Sequence, residues 1–271
     1  MTLDPIFLST AVEAALVAGR IQGRYFRQGP VIRKKGPIDL VTTADLEVER
    51  ELRALIGGRF PDHAILAEEG AAGGLPPAAA GRWIVDPLDG TTNFAHGLAL
   101  FCVSIALEID GRVEVGVVYD PIAQELFTAE RGEGARRNGE RLRASACDTL
   151  IDALLCTGFP YSVLDDRAAQ VELFAAFLGR ARAVRRLGSA ALDLCYVAAG
   201  RLDGFWEDRL HPWDIAAGAL IVEEAGGIVS DYAARPVDLD VGQIVASAPG
   251  VHRAILDVID GARSSGRGPA T

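Results

Sequence analysis

The sequence predicts a layered α/β protein with a mixed sheet, and three observations lead to this class. Residues 101–130 alternate apolar and polar side chains around a DG turn, which is typical of an antiparallel meander. Beyond residue 150, helical and strand-like patterns alternate, which is typical of α/β layers. The 271 residues, 49% of them hydrophobic, are enough for a sizeable core. We therefore expect an N-terminal α+β half (1–150), a C-terminal α/β half (151–262) and a flexible tail (263–271).

The first half opens with two predicted helices. Apolar residues from Phe7 to Ile21 recur at steps of three and four, the period of one helix face, until RQGP stops the pattern. A second helix starts at Thr42 and Asp45, which are spaced like a capping box, and is expected to end at Gly57-Gly58. AILAEE and RWIVD then predict short buried strands, each ending in an acid. The meander follows, and a Gly-rich loop, RGEGARRNGERL, closes this half.

The second half alternates strand-like and helical segments. Helices are predicted around AAQVELFAAFLGR, SAALDLCYVAAG and DIAAGALIVEEAGG. The strand-like segments before, between and after them are IDALLCTGF, AVRRLG, LDGFWED, IVSD and QIVASA. We expect these segments to form the C-terminal α/β half.

Charge and cysteine usage exclude several classes of protein. A formal charge of -10 argues against nucleic acid as the main partner, because phosphate neutralisation needs clustered Lys and Arg. The four cysteines lack CxxC spacing, which predicts buried free thiols in a reducing compartment. The N-terminal segment is unlike a signal peptide, and no run reaches the roughly 20 apolar residues of a membrane span. We expect a cytoplasmic protein with no membrane partner.

The stretch WIVDPLDGTTNF (83–94) places Asp86 and Asp89 three residues apart at the end of an apolar strand. Each acid alone has an ordinary explanation: Asp89-Gly90 could be a turn, and Asp214 could cap a helix. Their positions at strand ends and helix starts instead favour a shared site. Pro87 fixes its own φ and makes Asp86 extended, so we expect a tight turn that points Asp86 and Asp89 at one place. Clustered carboxylates repel one another, and a hard divalent cation, Mg²⁺ or Mn²⁺, relieves the repulsion. The amides after Asp89 would begin a short helix and provide an anion site, so the combination suggests phosphate chemistry.

Two long motifs resemble signatures of the inositol monophosphatase family: WIVDPLDGTTNF, and WDIAAGALIVEEAGG at 213–227. DLVTTAD, AEEG, GVVYDP, RGEGARRNG and GSAALDLCYVAAGRLDGFWE are similar to family segments in the same order, so the likeness covers nearly the whole chain. It is strongest to bacterial members that act on inositol 1-phosphate. The resemblance implies the sugar-phosphatase fold with α-β-α-β-α layers, a homodimer and inhibition by Li⁺.

The resemblance also implies roles for individual residues. Glu68, Asp86 and the carbonyl of Leu88 would bind one Mg²⁺, and Asp86, Asp89 and Asp214 a second, with Glu68 helping to hold a third, weaker ion. Thr91, assisted by Asp45, would orient and deprotonate the attacking water. The Gly90 and Thr91 amides would grip the phosphate. Lys34 matches a mobile family loop, although a solvated lysine fits as well.

The substrate wall is expected from the second half. Glu207 would accept a sugar hydroxyl, and Gly188, Ser189 and Ala190 would line the same wall; Asp208-Arg209 depart from the family pattern of a small or apolar residue followed by Gly. The expected reaction is hydrolysis of myo-inositol 1-phosphate or a related small polyol phosphate. Fructose 1,6-bisphosphate, histidinol phosphate and adenosine 3',5'-bisphosphate stay open as alternatives within the fold. A regulatory, protein-binding role on the same fold is the alternative from a different class.

Overall fold

The computed structural model describes residues 3–36, 39–70, 80–160, 162–163 and 166–265. A short hairpin, β1 (Ile32–Lys34) and β2 (Leu40–Thr42), precedes two larger sheets. The strands of the large sheet are β3 (Ala64–Ala67), β4 (Arg82–Asp89), β5 (Cys102–Ile109), β6 (Arg112–Asp120), β7 (Glu125–Glu130), β8 (Gly134–Arg137) and β9 (Glu140–Arg141). Those of the small sheet are β10 (Leu154–Thr157), β11 (Ala183–Arg185), β12 (Gly204–Glu207), β13 (Ile228–Ser230) and β14 (Ile244–Ser247).

Both sheets are mixed, as predicted. The large sheet follows chain order from β3 to β9, with one parallel pair, β3 and β4, and antiparallel pairs after it. The meander predicted for residues 101–130 is its centre. The small sheet has the order β11-β10-β12-β14-β13, in which β10 lies parallel to both of its neighbours.

Seven helices in the described residues complete five layers, and the predicted α-β-α-β-α architecture is confirmed. They are α1 (Ile6–Gln28), α2 (Thr43–Arg59), α3 (Thr91–Ala95), α4 (Arg167–Leu178), α5 (Ala190–Ala198), α6 (Pro212–Glu224) and α7 (His252–Ser265). Helices α1 and α2 cover the outer face of the large sheet, α5 and α6 lie between the sheets, and α4 and α7 cover the small sheet. One apolar core joins both sheets through α5 and α6.

Helix α2 begins where the capping box predicted. The Thr42 side chain accepts a hydrogen bond from the helix, and the Asp45 carboxylate accepts one from the Thr42 amide at 2.9 Å. The helix continues through both glycines to Arg59, two residues beyond Gly57. Arg59 explains the extension, because its guanidinium binds Thr10 and Glu13 of α1 at 2.9 Å each.

The tight turn expected at Asp86 and Asp89 is absent, because both residues belong to strand β4. The strand continues through Pro87 to Asp89, with a register shift against β5 between the two aspartates. Proline cannot donate a ladder hydrogen bond, so a bulge is where a strand tolerates it. The bulge keeps both carboxylates at the same end of the sheet.

Two loop predictions were wrong. The Gly-rich segment 131–142 contains a hairpin, β8 and β9, rather than a simple loop. The tail predicted from residue 263 begins inside α7, where the Arg263 guanidinium lies 5.7 Å from the Tyr232 ring; residues 266–271 lie outside the described residues.

The predicted free thiols are confirmed: Cys102, Cys156 and Cys195 are buried and Cys147 is partly buried. None of the helices within the described ranges is long and apolar enough to cross a lipid bilayer.

Candidate active site

A cavity of about 600 Å³ opens where β4 and β12 end and where α3, α5 and α6 begin. Residues of the bulged turn form its floor: Asp86, Leu88, Asp89, Gly90 and Thr91. Glu68 and Asp214 face it from other elements. Gly188, Ser189, Ala190 and Glu207 form the opposite wall. Of the residues considered for the site, Asp45 and Lys34 do not line the cavity, and Asp45 reaches it through Thr91.

Three carboxylates converge at the floor of this cavity. One oxygen from each of Asp86, Asp89 and Asp214 lies within 4.8 Å of the other two. Strand β4 supplies the first two. Asp214 is the third residue of α6, where its Oδ2 accepts a hydrogen bond of 2.7 Å from the His211 amide. The ordinary capping role and the site role therefore coexist in Asp214.

The carboxylates repel one another in a dry environment. Burial raises the pKa of Asp86 well above its usual range, and the charges of Glu68, Asp89 and Asp214 raise it further. Burial, followed by the charge of Asp89, does the same to the pKa of Asp214. A hard divalent cation would remove this strain, and three carboxylate oxygens without His or Cys suit Mg²⁺ or Mn²⁺. The donor set thus fits the ion expected from the sequence.

Hydrogen bonds fix the orientation of the two β4 aspartates. The Leu88 amide donates to Asp86 Oδ1 at 2.8 Å. Asp89 Oδ2 accepts from Ser189 Oγ and from the Ala191 amide, both at 2.7 Å. These contacts hold both carboxylates in place at the floor of the cavity. They also join β4 to the start of α5.

Glu68 lies just after β3, and its carboxylate is paired with a lysine. Lys35 Nζ lies 2.9 Å from Glu68 Oε1 and 2.5 Å from Glu69 Oε1. Burial works to lower the pKa of Lys35, but the charges of the two glutamates outweigh it and raise that pKa. Lys34, the residue singled out in the sequence, is exposed on β1, so its neighbour makes the contact to the site.

A threonine and an aspartate form a buried pair beside the carboxylates. Thr91 Oγ1 lies 2.9 Å from the Leu88 carbonyl oxygen and 3.3 Å from Asp45 Oδ1. Asp45 Oδ2 accepts from both the amide and the hydroxyl of Thr42. Burial raises the pKa of Asp45 to about 6, although the bonds from Thr42 oppose the shift. Asp45 is therefore mostly ionised at neutral pH and able to accept a proton from Thr91.

At the start of α3 the backbone of Gly90 passes close to the backbone of Leu100. Gly90 has φ 92°, a left-handed conformation that favours glycine, and a Cβ there would lie 2.8 Å from the Leu100 carbonyl oxygen. The backbone amides after it open α3, as expected from GTTN. Asn93 in α3 donates to the carbonyls of Leu100 and Leu187 at 2.8 Å, which ties this helix to the opposite wall.

The opposite wall carries a buried glutamate. Glu207 ends β12 with 8% of its surface exposed, and its carboxylate occupies the space that a side chain at Gly158 would need. Burial raises the pKa of Glu207 well above its usual range, and the charges of Asp214 and Asp193 add to the shift. Such a carboxyl group can share protons with the hydroxyls of a ligand.

Two site residues escaped the sequence analysis. Gln22 of α1 is fully buried and donates to the Pro87 carbonyl at 2.8 Å, supporting the bulge from behind. A polar residue on an apolar helix face was the available signal. Asp193 of α5 is 1% exposed, lines the cavity and has one oxygen without a hydrogen-bond partner. Asp193 lies within the apolar helical segment SAALDLCYVAAG, and nothing in that pattern indicates that it faces the cavity.

Five alternating layers with a carboxylate-lined cavity at the strand ends define the sugar-phosphatase class of fold. A sequence model of the inositol monophosphatase family matches residues 6–262, and the chain belongs to that family.

Relatives and solved structures agree with this assignment. The chain is 45% identical to "Nus factor SuhB" of Pseudomonas aeruginosa, covering 93% of this chain and 95% of that protein. It is also 45% identical to "Inositol-1-monophosphatase" of Mesorhizobium japonicum, with the same coverage. The crystal structure of the extragenic suppressor protein suhB of Bartonella henselae superposes with a TM-score of 0.88 at 40% identity, covering 94% of this chain and 98% of that one.

Proposed function

We propose that this protein is a Mg²⁺-dependent phosphomonoesterase that hydrolyses myo-inositol 1-phosphate or a related small polyol phosphate. The observation that carries the proposal is the convergence of Asp86, Asp89 and Asp214 within 4.8 Å, directly beside the Thr91–Asp45 pair. The family match and the inositol-1-monophosphatase relative support the same reaction class.

In this proposal the carboxylates hold the cation. Glu68, Asp86 and the Leu88 carbonyl would hold one Mg²⁺, and Asp86, Asp89 and Asp214 would hold a second. Glu68 would contribute to a third, weaker site, and Mn²⁺ could substitute. When bound, the ions supply positive charge for the phosphoryl oxygens and make a water molecule more acidic.

The chain's own residues handle the proton and the phosphate. Thr91 orients the attacking water with its hydroxyl and passes a proton towards Asp45, whose pKa of about 6 leaves it ionised at neutral pH. The Gly90 and Thr91 amides point at the phosphate oxygens and fix the ester for in-line attack. These two N–H groups need no reorganisation during the reaction, because the bulge and α3 already hold them in position.

The remaining wall would bind the alcohol. Glu207 exchanges hydrogen bonds with ring hydroxyls, while Gly188, Ser189 and Ala190 leave space for a compact ring. A hydroxyl-rich neutral ring matches a wall with two buried acids, Glu207 and Asp193, because burial raises the pKa of both and a hydroxyl can donate to a carboxyl group as well as accept from it.

Phosphate release from a panel of esters tests the proposal. Inositol 1-phosphate, fructose 1,6-bisphosphate, histidinol phosphate and adenosine 3',5'-bisphosphate are each incubated with Mg²⁺ and with EDTA. We expect metal-dependent release, fastest for inositol 1-phosphate. Faster turnover of another ester would retain the metal chemistry and reject the assigned substrate, and no release from any ester would reject the enzyme.

A second candidate function is a regulatory, protein-binding role, because relatives at 45% identity carry the name Nus factor. Asp89→Asn separates the two roles. If the role is regulatory, this variant should lack phosphatase activity and still reverse the phenotype of a strain in which the gene is deleted. If the role is purely enzymatic, the variant should give no rescue.

Three further properties remain predictions. Homodimer formation is tested by sedimentation, cytoplasmic location by cell fractionation, and Li⁺ inhibition by titrating Li⁺ at fixed Mg²⁺. Each measurement is independent of the substrate panel.

A further inference from the structure

The loop between β12 and α6 contains an arginine in an unfavourable backbone conformation. Arg209 has φ 58°, in the left-handed region that favours glycine. Non-glycine residues persist in such conformations only where their surroundings compensate. The side-chain contacts of Arg209 identify what compensates here.

Asp208 and Arg209 of this loop contact helix α4 and the segment that precedes it. Arg209 Nη2 donates to Asp166 Oδ2 at 3.0 Å, and Nη1 donates to Ser162 Oγ at 3.1 Å. Asp208 Oδ1 accepts from Gln170 Nε2 at 3.0 Å. A single exposed ion pair contributes little, but here two adjacent loop residues make three bonds, two to the start of α4 at Asp166 and Gln170 and one to Ser162 before it.

The first turn of α4 lacks other anchors among its own residues, all of which the structure describes. Asp166 is the N-cap residue, yet its side chain makes no capping bond because it faces Arg209. Residues 166–169 are exposed, and the first buried side chain of α4 is Leu173. The Asp208 and Arg209 contacts therefore hold the part of α4 that its apolar face does not.

The position of α4 determines one side of the active cavity. The Phe174 ring on α4 lies 6.0 Å from the Phe159 ring. Phe159, Ser162 and Val163, which we call the outer wall, line the same cavity as Asp214 and Glu207. The Arg186 guanidinium also lies over the Phe159 ring, 5.9 Å from the ring centroid. A shift of α4 would move the outer wall away from the metal ligands.

We propose that Arg209, supported by Asp208, is a positioning residue that fixes the outer wall and thereby limits the size of the phosphate ester. The inference rests on the proposed phosphatase function. Arg209 borders the cavity itself, and it also holds the outer wall directly through Ser162 and indirectly through the start of α4; it takes no part in the reaction itself. Its removal should affect binding of the alcohol portion and spare the chemical step.

Arg209→Gly is the central variant, because glycine removes the contacts and suits the left-handed backbone. We expect KM for inositol 1-phosphate to rise about threefold to tenfold with kcat within about twofold, as for loss of a modest ground-state contact network. The ratio of kcat/KM for adenosine 2'-monophosphate, a bulkier ester, to that for inositol 1-phosphate should rise by a similar factor. The KM and the ester ratio of Arg209→Lys should lie between those of the parent protein and Arg209→Gly, since an ammonium cannot bridge two acceptors as the planar guanidinium does.

Ala234→Gly is the matched control. Ala234 has φ 60° in an exposed loop, so this substitution also places glycine at a left-handed position without removing side-chain hydrogen bonds. We expect no change in either kinetic ratio.

Hydrogen exchange of the metal-free protein provides a readout that needs no turnover. Arg209→Gly should speed exchange of the α4 amides, and Ala234→Gly should not. Unchanged exchange in α4 would refute the positioning role, and faster exchange with an unchanged ester ratio would refute the role in selectivity. Absence of turnover in the parent protein would reject the proposed function, and with it the selectivity claim, while exchange would still decide whether Arg209 fixes α4.

Discussion

Replacing Asp86 by Asn should stabilise the metal-free protein while removing its response to Mg²⁺. Asp86 is 2% exposed and shares the cavity floor with two carboxylates whose oxygens lie within 4.8 Å. Asparagine keeps the acceptor that binds the Leu88 amide and removes the charge. The substitution therefore relieves repulsion without leaving a buried group unpaired.

The magnitude follows from the geometry. Two full charges 4.8 Å apart, the upper limit of the separations in the cluster, repel by about 3.5 kcal/mol at an effective dielectric constant near 20. Because burial raises the pKa of Asp86 and of Asp214, partial protonation of the metal-free cluster weakens this repulsion, and we expect a gain of about 2 kcal/mol. For a chain of this size that corresponds to a rise in Tm of about 4–8 °C in EDTA.

Thermal unfolding in EDTA and in a Mg²⁺ series measures both effects. In the parent protein Mg²⁺ should raise Tm, because an ion that binds only the folded state stabilises it. In Asp86→Asn the metal-free Tm should be higher and its dependence on Mg²⁺ much weaker. Asp240→Asn, at an exposed position, should match the parent in both conditions. A lower Tm for Asp86→Asn in EDTA, or an unchanged response to Mg²⁺, would refute the reasoning.

Three more substitutions have defined outcomes. Asp89→Asn should lower kcat by orders of magnitude with an intact circular dichroism spectrum, and near-parental turnover at saturating Mg²⁺ would contradict its role as a metal ligand. Glu207→Gln should leave Mg²⁺ binding, measured calorimetrically, intact but alter the ester ranking; an identical ranking would remove Glu207 from substrate recognition. Burial lowers the pKa of His252 below its usual 6.5, so the unfolded chain takes up the proton first and stability falls as pH drops below about 6.5. His252→Gln should flatten this part of the pH profile in urea titrations at pH 5 and 7.5, and an unchanged slope would show that His252 does not cause it.

Much of the frame could be predicted because local patterns and the fold agree. The capping box at Thr42 and Asp45 marks the start of α2, and the alternating run from residue 101 marks the meander. The acids of the floor were found because strand ends and helix starts are visible in the sequence. Their convergence also required the family resemblance, since spacing alone does not bring Asp214 to β4.

Other features depend on contacts between distant segments. Pro87 suggested a turn, yet pairing of Asp89 with Cys102 keeps the strand going through a bulge. The Gly-rich segment at 131–142 forms a hairpin because Glu224 of α6 accepts from the Gly132 and Gly134 amides at 2.8 Å. Lys35 rather than Lys34 pairs with Glu68, because successive side chains of an extended segment point to opposite sides and the β1–β2 hairpin fixes which side is which.

Helix α6 makes the site a reporter of chain assembly. Its first turn carries Asp214, while its apolar face packs against the large sheet and meets β13 and β14 of the small sheet. A fragment that ends before residue 212 could fold its meander and still lack one of the three clustered carboxylates. Tight ion binding should therefore arise late, after both sheets have closed on α6, and would distinguish fully assembled molecules from partly folded ones.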